Sequence, residues 1–160
     1  MPEPTNAPAT SPERTLVIER VFDAPRELVW KAWTDPEQAM RWWGPKGFTS
    51  PRIESDLRVG GRYRIAMQPP EGELFYLTGE FREVDPPNRL AYTFRWEDPD
   101  PDDRETVVTI SLRAVGESTE LVLDQGLFAT QARYDLHHAG WTDGLVRLDE
   151  ALRSVMERAS

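Results

Sequence analysis

Cysteine is absent from the 160 residues of this sequence. Disulfide bonds, thiolate nucleophiles and cysteine-ligated metals are therefore excluded. The sequence also has no apolar run near the ~18 residues that a membrane-spanning helix requires. Its first residues, MPEPTNAPATSPE, have no apolar segment of the secretory type. These absences predict a cytoplasmic protein without a membrane span.

Positive charge is also scarce, with 28 acidic residues against 19 basic ones and a net charge of −9. Phosphate neutralisation supplies much of the affinity for nucleic acids, and membrane surfaces are anionic, so neither is expected as a partner. The chain does have six Trp, six Phe and four Tyr within an apolar fraction of 39%, which is a globular composition. Residues 1–13 are expected to form a disordered proline-rich tail, and residues 14–160 one domain.

The period of the hydrophobic pattern changes along the chain. RTLVIERVF (residues 14–22) predicts a strand, and DAP at residues 23–25 predicts the start of a short helix. A second short helix is predicted from the capping-box spacing of Thr34 and Glu37, with its end at Gly44-Pro45. Beyond this helix the hydrophobic pattern repeats every two residues, which is typical of strands. The strands predicted there are Phe48–Leu57, Arg62–Met67, Leu74–Val84 with a bulge or bend at Gly79, Arg89–Trp96, Val107–Arg113 and Thr119–Asp124.

A long amphipathic helix is predicted at about Thr130 to Arg158. At 100° per residue, its apolar residues lie within about 40° of one line, and His138 lies at about 60°, on the edge of this stripe. The stripe consists of Tyr134, His137, Trp141, Leu145, Leu148, Leu152 and Val155. The opposite face carries Asp143, Arg147, Glu150 and Glu157. Gly140 and Gly144 each cost about 1 kcal/mol relative to Ala, so their spacing predicts close approach to another element.

The order of elements predicts an α+β helix-grip fold. A sheet of about six or seven antiparallel strands curls, and the long C-terminal helix fits its concave face. A curved sheet and one helix do not fill the space between them completely, so a ligand cavity is expected there.

Four ordered segments resemble one protein family. They are RVFDAPRELVWKAWTDPEQAMRWWGP (20–45), VGGRYR (59–64), GEFREVDPPNRLAYTF (79–94) and HHAGWTDGLVRLDEAL (137–152). Together they resemble the START-like superfamily, also called SRPBCC, in the branch named after the activator of heat-shock-protein-90 ATPase. The resemblance covers about Arg14 to Met156. It implies a helix-grip fold with an inner cavity for hydrophobic small molecules, and it implies little about chemistry, since lipid carriers, cyclases and chaperone regulators all share this fold.

The resemblance also raises a chaperone as a partner. The eukaryotic chaperone activators carry a separate N-terminal domain that does much of the chaperone binding, whereas a proline-rich tail precedes the first strand here. A co-chaperone role is therefore the less favoured expectation, together with its link to the stress response. A homodimer is left open, since small domains often pair by two-fold symmetry.

The leading hypothesis is a binding protein without catalysis, which holds a small hydrophobic or amphipathic molecule. The residues expected to line its cavity are Trp43, Tyr63, Met67, Tyr92, Phe94, Trp96, His138, Trp141 and Leu145. Tyr hydroxyls and indole N–H groups would orient the ligand, because such groups need partners when they are buried. Plain core packing is the alternative interpretation for each of these aromatic residues.

His138 also supports a second hypothesis, an enzyme of the cyclase or hydrolase kind that uses it as acid–base. The alternative is that one histidine of the His137-His138 pair is buried against backbone and the other is partly exposed. A third hypothesis is a chaperone-regulating interaction module, which predicts an exposed apolar patch.

The remaining motifs do not indicate a catalytic, metal or cofactor site. Adjacent histidines diverge on a helix, so no metal site is expected, and no cofactor is expected either. Arg62, Arg64 and Arg95 are expected on the outer face of the sheet, because the opposite faces are far more apolar. EDPDPDDRE (97–105) is expected to be a solvated hairpin tip, and Gly60-Gly61 lacks the pattern of a phosphate loop.

The stretch MRWWGP (40–45) places two tryptophans side by side before a helix breaker. Neighbouring helical residues point about 100° apart, so both can hardly face the same environment. Trp43 is expected to face the cavity, and Trp42 to pack elsewhere or to be partly exposed.

Overall fold

A seven-stranded antiparallel sheet with one long helix across its concave face forms the described part of the chain, residues 15–159 of a computed structural model. The predicted tail over residues 1–13 lies outside this part and stays a prediction. The strands are β1 (Leu16–Phe22), β2 (Ile53–Ser55), β3 (Arg62–Met67), β4 (Phe75–Asp85), β5 (Arg89–Trp96), β6 (Thr106–Val115) and β7 (Ser118–Gly126). The helices are α1 (Arg26–Thr34), α2 (Pro36–Ala39) and α3 (Gln131–Ala159).

The spatial order of the strands is β1-β7-β6-β5-β4-β3-β2. Strands β2 to β7 pair with their neighbours in sequence, as short turns allow, and β1 closes the order by pairing antiparallel with β7. Side chains alternate along β1, where Leu16, Ile18 and Phe22 are buried while Val17 and Val21 are exposed. The predicted helix-grip architecture is confirmed.

Three local predictions need correction. Asp35 rather than Thr34 caps α2, because its carboxylate accepts the Glu37 N–H at 3.1 Å, while the Thr34 hydroxyl donates to the Trp30 carbonyl at 2.8 Å. The strand predicted over residues 48–57 shrinks to Ile53–Ser55 with one isolated bridge from Thr49 to Gln68.

The bulge in β4 lies between Phe81 and Glu83, not at Gly79. Gly79 has a different reason to be glycine. A Cβ there would lie 1.9 Å from the Thr93 carbonyl oxygen and 2.6 Å from the Tyr63 ring, which packs over it. Besides a bulge, the close approach of another backbone segment is a common reason for glycine inside a strand.

The three arginines expected on the outer face, Arg62, Arg64 and Arg95, are exposed. Arg64 forms two hydrogen bonds with Glu97, at 2.8 and 2.9 Å, and these hold the pKa of the Glu97 carboxyl below its usual range. The inner face is left to apolar and aromatic side chains, and α3 packs against them. None of the helices between residues 15 and 159 is long and apolar enough to cross a bilayer.

Candidate ligand-binding site

The segment between α2 and β2 forms one wall of the space under α3. Trp42 is fully buried, and its indole N–H donates to the Ala32 carbonyl at 3.0 Å. Trp43 is 5% exposed. The expectation that Trp42 would be partly exposed or pack apart from Trp43 is wrong. Their ring centroids lie 5.3 Å apart, because the chain leaves helical geometry here and both rings turn inward.

Four indoles meet at this wall. Trp33 of α1 lies 4.8 Å from Trp42 and stacks on Trp141 of α3 at 5.8 Å, measured between ring centroids. Trp43 meets Trp141 edge-on at 5.5 Å. Aromatic pairs in such offset or edge-to-face arrangements stabilise beyond their buried area. The indole cluster therefore joins three elements into one unit: α1, α3 and the segment that follows α2.

Arg147 fixes the same segment to α3. Its Nη1 donates to the carbonyl oxygens of Trp43, Gly44 and Pro45 at 3.3, 3.0 and 3.1 Å. Sequence periodicity placed Arg147 on the helix face opposite the apolar stripe. That face is covered in part by this segment, so the guanidinium is half-buried and serves as a clamp.

The two helix glycines face this segment as well. A Cβ on Gly140 would lie 3.7 Å from Pro45 Cγ, and one on Gly144 would lie 3.7 Å from the Gly44 carbonyl oxygen. A neighbouring segment therefore contacts α3 at both glycines, but not closely enough to explain the glycines as the prediction held. Both distances are ordinary van der Waals contacts, so the packing does not require glycine at either position.

A cavity of about 390 Å³ lies between α3, the inner face of β3 to β5 and this wall. Its volume falls within the range of small-molecule sites, about 300 to 1,000 Å³. Most of its lining is aromatic or apolar. The apolar and aromatic lining residues are Trp42, Trp43, Pro45, Phe48, Met67, Phe75, Tyr76, Phe94, Trp96, Leu136 and Trp141.

Five predicted site residues meet in this cavity: Trp43, Met67, Phe94, Trp96 and Trp141. Tyr63 and Tyr92 instead line a separate cavity of about 40 Å³, and Trp43 is the one described residue that lines both. The Tyr63 hydroxyl donates to the Thr93 carbonyl at 2.6 Å, and the Tyr92 hydroxyl accepts the Trp33 indole N–H at 3.4 Å. Burial raises the pKa of both hydroxyls, so they stay protonated and structural.

Two predicted site residues do not reach the cavity. Leu145 is buried in the core and lines neither space, and His138 is exposed on α3, stacked on Tyr134 at 6.0 Å between ring centroids. The expectation that His138 faces the cavity is wrong, and its neighbour His137 lines the cavity instead. Helical periodicity could have identified His137 as the inward-facing histidine, because His137 lies within the apolar stripe whereas His138 lies at its edge.

His137 sits among rings, with centroids 4.9 Å from Phe128, 5.3 Å from Phe94 and 6.0 Å from Trp96. Burial, with a smaller contribution from the Arg133 charge, lowers its pKa to about 4. At neutral pH the imidazole is therefore uncharged, with one nitrogen free to donate and one to accept.

The indole groups of the cavity differ in what they offer a ligand. The Trp141 N–H is already used, since it donates to Gln125 Oε1 at 2.7 Å, and Gln125 Nε2 donates to the Thr106 hydroxyl at 2.8 Å. The indole N–H groups of Trp43 and Trp96 and the imidazole of His137 have no hydrogen-bond partner within residues 15–159. These three groups could orient a bound molecule.

The mouth of the cavity is acidic. Arg133 of α3 is 14% exposed and forms ion pairs with Asp100, Asp102 at 3.0 Å and Asp103 at 3.2 Å. These pairs dock the β5–β6 loop onto the start of α3. The expectation of a fully solvated hairpin tip is therefore wrong for its centre, where the Asp103 side chain is 8% exposed. No group of metal-ligating side chains occurs in the described chain.

A curved antiparallel sheet that holds a long helix over an aromatic-walled cavity defines a helix-grip protein. The sequence model of one family, described as activator of Hsp90 ATPase homolog 1-like protein, matches residues 23–153. The chain belongs to this family, which confirms the resemblance found in the sequence. Proteins of this fold commonly bind small hydrophobic ligands.

Solved structures agree with this assignment. A protein of Nitrosomonas europaea is 30% identical, with a TM-score of 0.77 over 92% of this chain and 98% of its own. A protein described as AHSA1 from Silicibacter pomeroyi is 29% identical, with a TM-score of 0.75 over 87% and 97%. CalU16 from Micromonospora echinospora is 25% identical, with a TM-score of 0.68 over 90% and 79%. No curated protein matches the chain.

Proposed function

We propose that the protein binds a small apolar or amphipathic molecule in the 390 Å³ cavity and leaves it chemically unchanged. The observation that carries this proposal is the buried Trp43 indole, which lines the cavity while its N–H has no partner among the described residues. A buried donor without an acceptor costs about 1–3 kcal/mol. A ligand acceptor at this position would remove that cost.

Apolar contact would supply most of the affinity. A ligand that buries about 200 Å² of apolar surface against the aromatic walls gains about 5 kcal/mol, before the cost of immobilising it is subtracted. The unpartnered groups of Trp43, Trp96 and His137 would then set its orientation rather than its affinity.

Filling the cavity provides the test. Gly140→Leu places a side chain on the cavity wall at a position where a Cβ fits, and leucine favours a helix more than glycine does. Ala139→Leu is the matched control, since residue 139 is the exposed neighbour on the same helix and does not line the cavity.

The neutral fluorescent probe N-phenyl-1-naphthylamine should bind the unmodified protein with increased emission and raise its melting temperature. Gly140→Leu should weaken binding about tenfold or more, which corresponds to about 1.4 kcal/mol. Ala139→Leu should bind as the unmodified protein does. The proposal is wrong if the probe does not bind, or if the two variants bind equally well.

The two alternative functions have less support. An acid–base role for His138 is not favoured, because this side chain is exposed and lies outside the cavity. A chaperone-regulating role draws on the family's description rather than on any residue of this chain, and a pull-down with the chaperone would test it. The homodimer, the stress response and the cytoplasmic location stay predictions.

A further inference from the structure

The charges at the cavity mouth discriminate between classes of ligand. The mouth is formed by Asp98, Asp100, Asp103 and Arg133. Arg133 is the single cation among the described residues that line the cavity, and three carboxylates already surround it. A ligand carboxylate or phosphate would have to displace one of these and would face the others. The mouth therefore disfavours anionic amphiphiles such as fatty acids.

Asp98 differs from the other acids of the mouth. Asp100, Asp102 and Asp103 bind Arg133, and Glu97 binds Arg64 on the outer face of the sheet. Asp98 has no hydrogen bond or ion pair with any residue of the described chain, and its side chain is exposed at the mouth. Its charge is therefore available to a ligand.

Trp96 lies next to this carboxylate. Asp98 follows Trp96 by two residues, in the bend at which β5 ends, and both residues line the cavity. The Trp96 indole is half-buried and packs edge-on against Phe94, with ring centroids 5.2 Å apart. An aromatic face beside a free carboxylate is a common way to recognise an ammonium group, because the ring quadrupole and the anion both attract a cation.

We propose that the ligand is an organic amine whose apolar body lies in the cavity and whose ammonium group lies at the mouth, between Asp98 and the Trp96 ring. This inference rests on the proposed function, and it adds the sign of the ligand's charge and the orientation of the ligand in the cavity. The far end of the ligand would lie beside the neutral His137 and Trp43, and an acceptor there would meet the Trp43 indole N–H, as the proposed function requires.

Three probes with the same ring system test the sign of the charge. Naphthalenemethylamine is a cation, naphthalenemethanol is neutral and naphthoic acid is an anion at neutral pH. Calorimetric titration at low salt should give the amine an affinity about three- to tenfold above that of the alcohol, with the acid weakest. High salt should reduce this difference, because the mouth is exposed to solvent.

Asp98→Asn should lower the ratio of amine to alcohol affinity about two- to fivefold. Glu117→Gln is the matched control, since Glu117 is an exposed acid in the turn between β6 and β7, remote from the cavity lining. This control should leave the ratio as it is in the unmodified protein.

The outcomes separate the two proposals. If the alcohol binds as tightly as the amine, or the acid binds best, the inference about charge is overturned while the cavity-binding function stands. If the amine is preferred but Asp98→Asn leaves the ratio unchanged, the position assigned to the ammonium group is wrong. Binding of none of the three probes would count against both proposals.

Discussion

Replacing Arg147 by methionine should loosen the cavity wall that carries Trp43. Methionine keeps an unbranched apolar stem on α3 and removes the guanidinium that contacts three successive carbonyl groups. The wall would then be held by the indole cluster and by three further contacts. The Lys46 N–H donates to the Asp143 carboxylate at 3.3 Å, the Ser50 hydroxyl donates to the Trp43 carbonyl at 3.4 Å, and Thr49 forms a bridge with Gln68.

The magnitude follows from the number of donors. Nη1 has two hydrogens for three acceptors at 3.0 to 3.3 Å, so the contacts amount to about two full hydrogen bonds. Hydrogen bonds to charged groups contribute about 1.5–3 kcal/mol each, but water can replace the guanidinium at the half-buried Gly44 and Pro45 carbonyls. We therefore expect a total loss of about 1.5–3 kcal/mol, or about 5–10 °C in melting temperature.

Urea denaturation of the unmodified protein and of the Arg147→Met variant measures this loss. Arg153→Met is the control, because Arg153 is exposed on the same helix and pairs with Asp149 at 2.9 Å one turn away. Its midpoint should hardly change, since exposed pairs contribute little. The clamp argument fails if Arg147→Met is no less stable than this control. Affinity for N-phenyl-1-naphthylamine should fall with the loss of stability, because a looser wall must be ordered on binding.

Two further predictions concern buried polar groups. The pKa of His137 lies near 4 in the folded protein and near 6.5 in the unfolded chain, so the unfolded state binds one more proton between these values. Stability should therefore rise with pH from about 4 to 6.5, by about 2–4 kcal/mol, and His137→Gln should flatten this part of the profile. If the His137→Gln variant has the same dependence of stability on pH as the unmodified protein, the lowered pKa assigned to His137 is wrong. Gln125→Leu should cost about 2–5 kcal/mol in urea unfolding, because the Trp141 N–H and a threonine hydroxyl lose their partners. Adding Trp141→Phe should then cost less than it does alone, and strictly additive losses would refute the network.

Much of the architecture was predictable because it depends on local periodicity. The alternation in β5 identified its inner residues, and Phe94 and Trp96 of that strand line the cavity. The apolar stripe of α3 likewise identified Trp141, Leu145 and Leu148 as buried. Such patterns fix which face of an element is covered.

Predictions failed where a group's environment depends on a distant segment. Tyr63 points inward as expected, yet its hydroxyl is used by Thr93 of another strand, and so it serves the fold rather than a ligand. The acidic loop was expected in solvent, but Arg133 on α3 draws it onto the protein. Neither partner is visible in the local sequence.

The sequence alone therefore determined the fold, the family and the acidic, aromatic character of the molecule, because these follow from patterns within each element. The tertiary structure decided that His137 rather than His138 lines the cavity, that Arg147 clamps the MRWWGP segment, and that both tryptophans of that segment are buried. The physical reason is that a helix has more than one covered face once another segment packs on it, and helical periodicity describes a helix against a single neighbour.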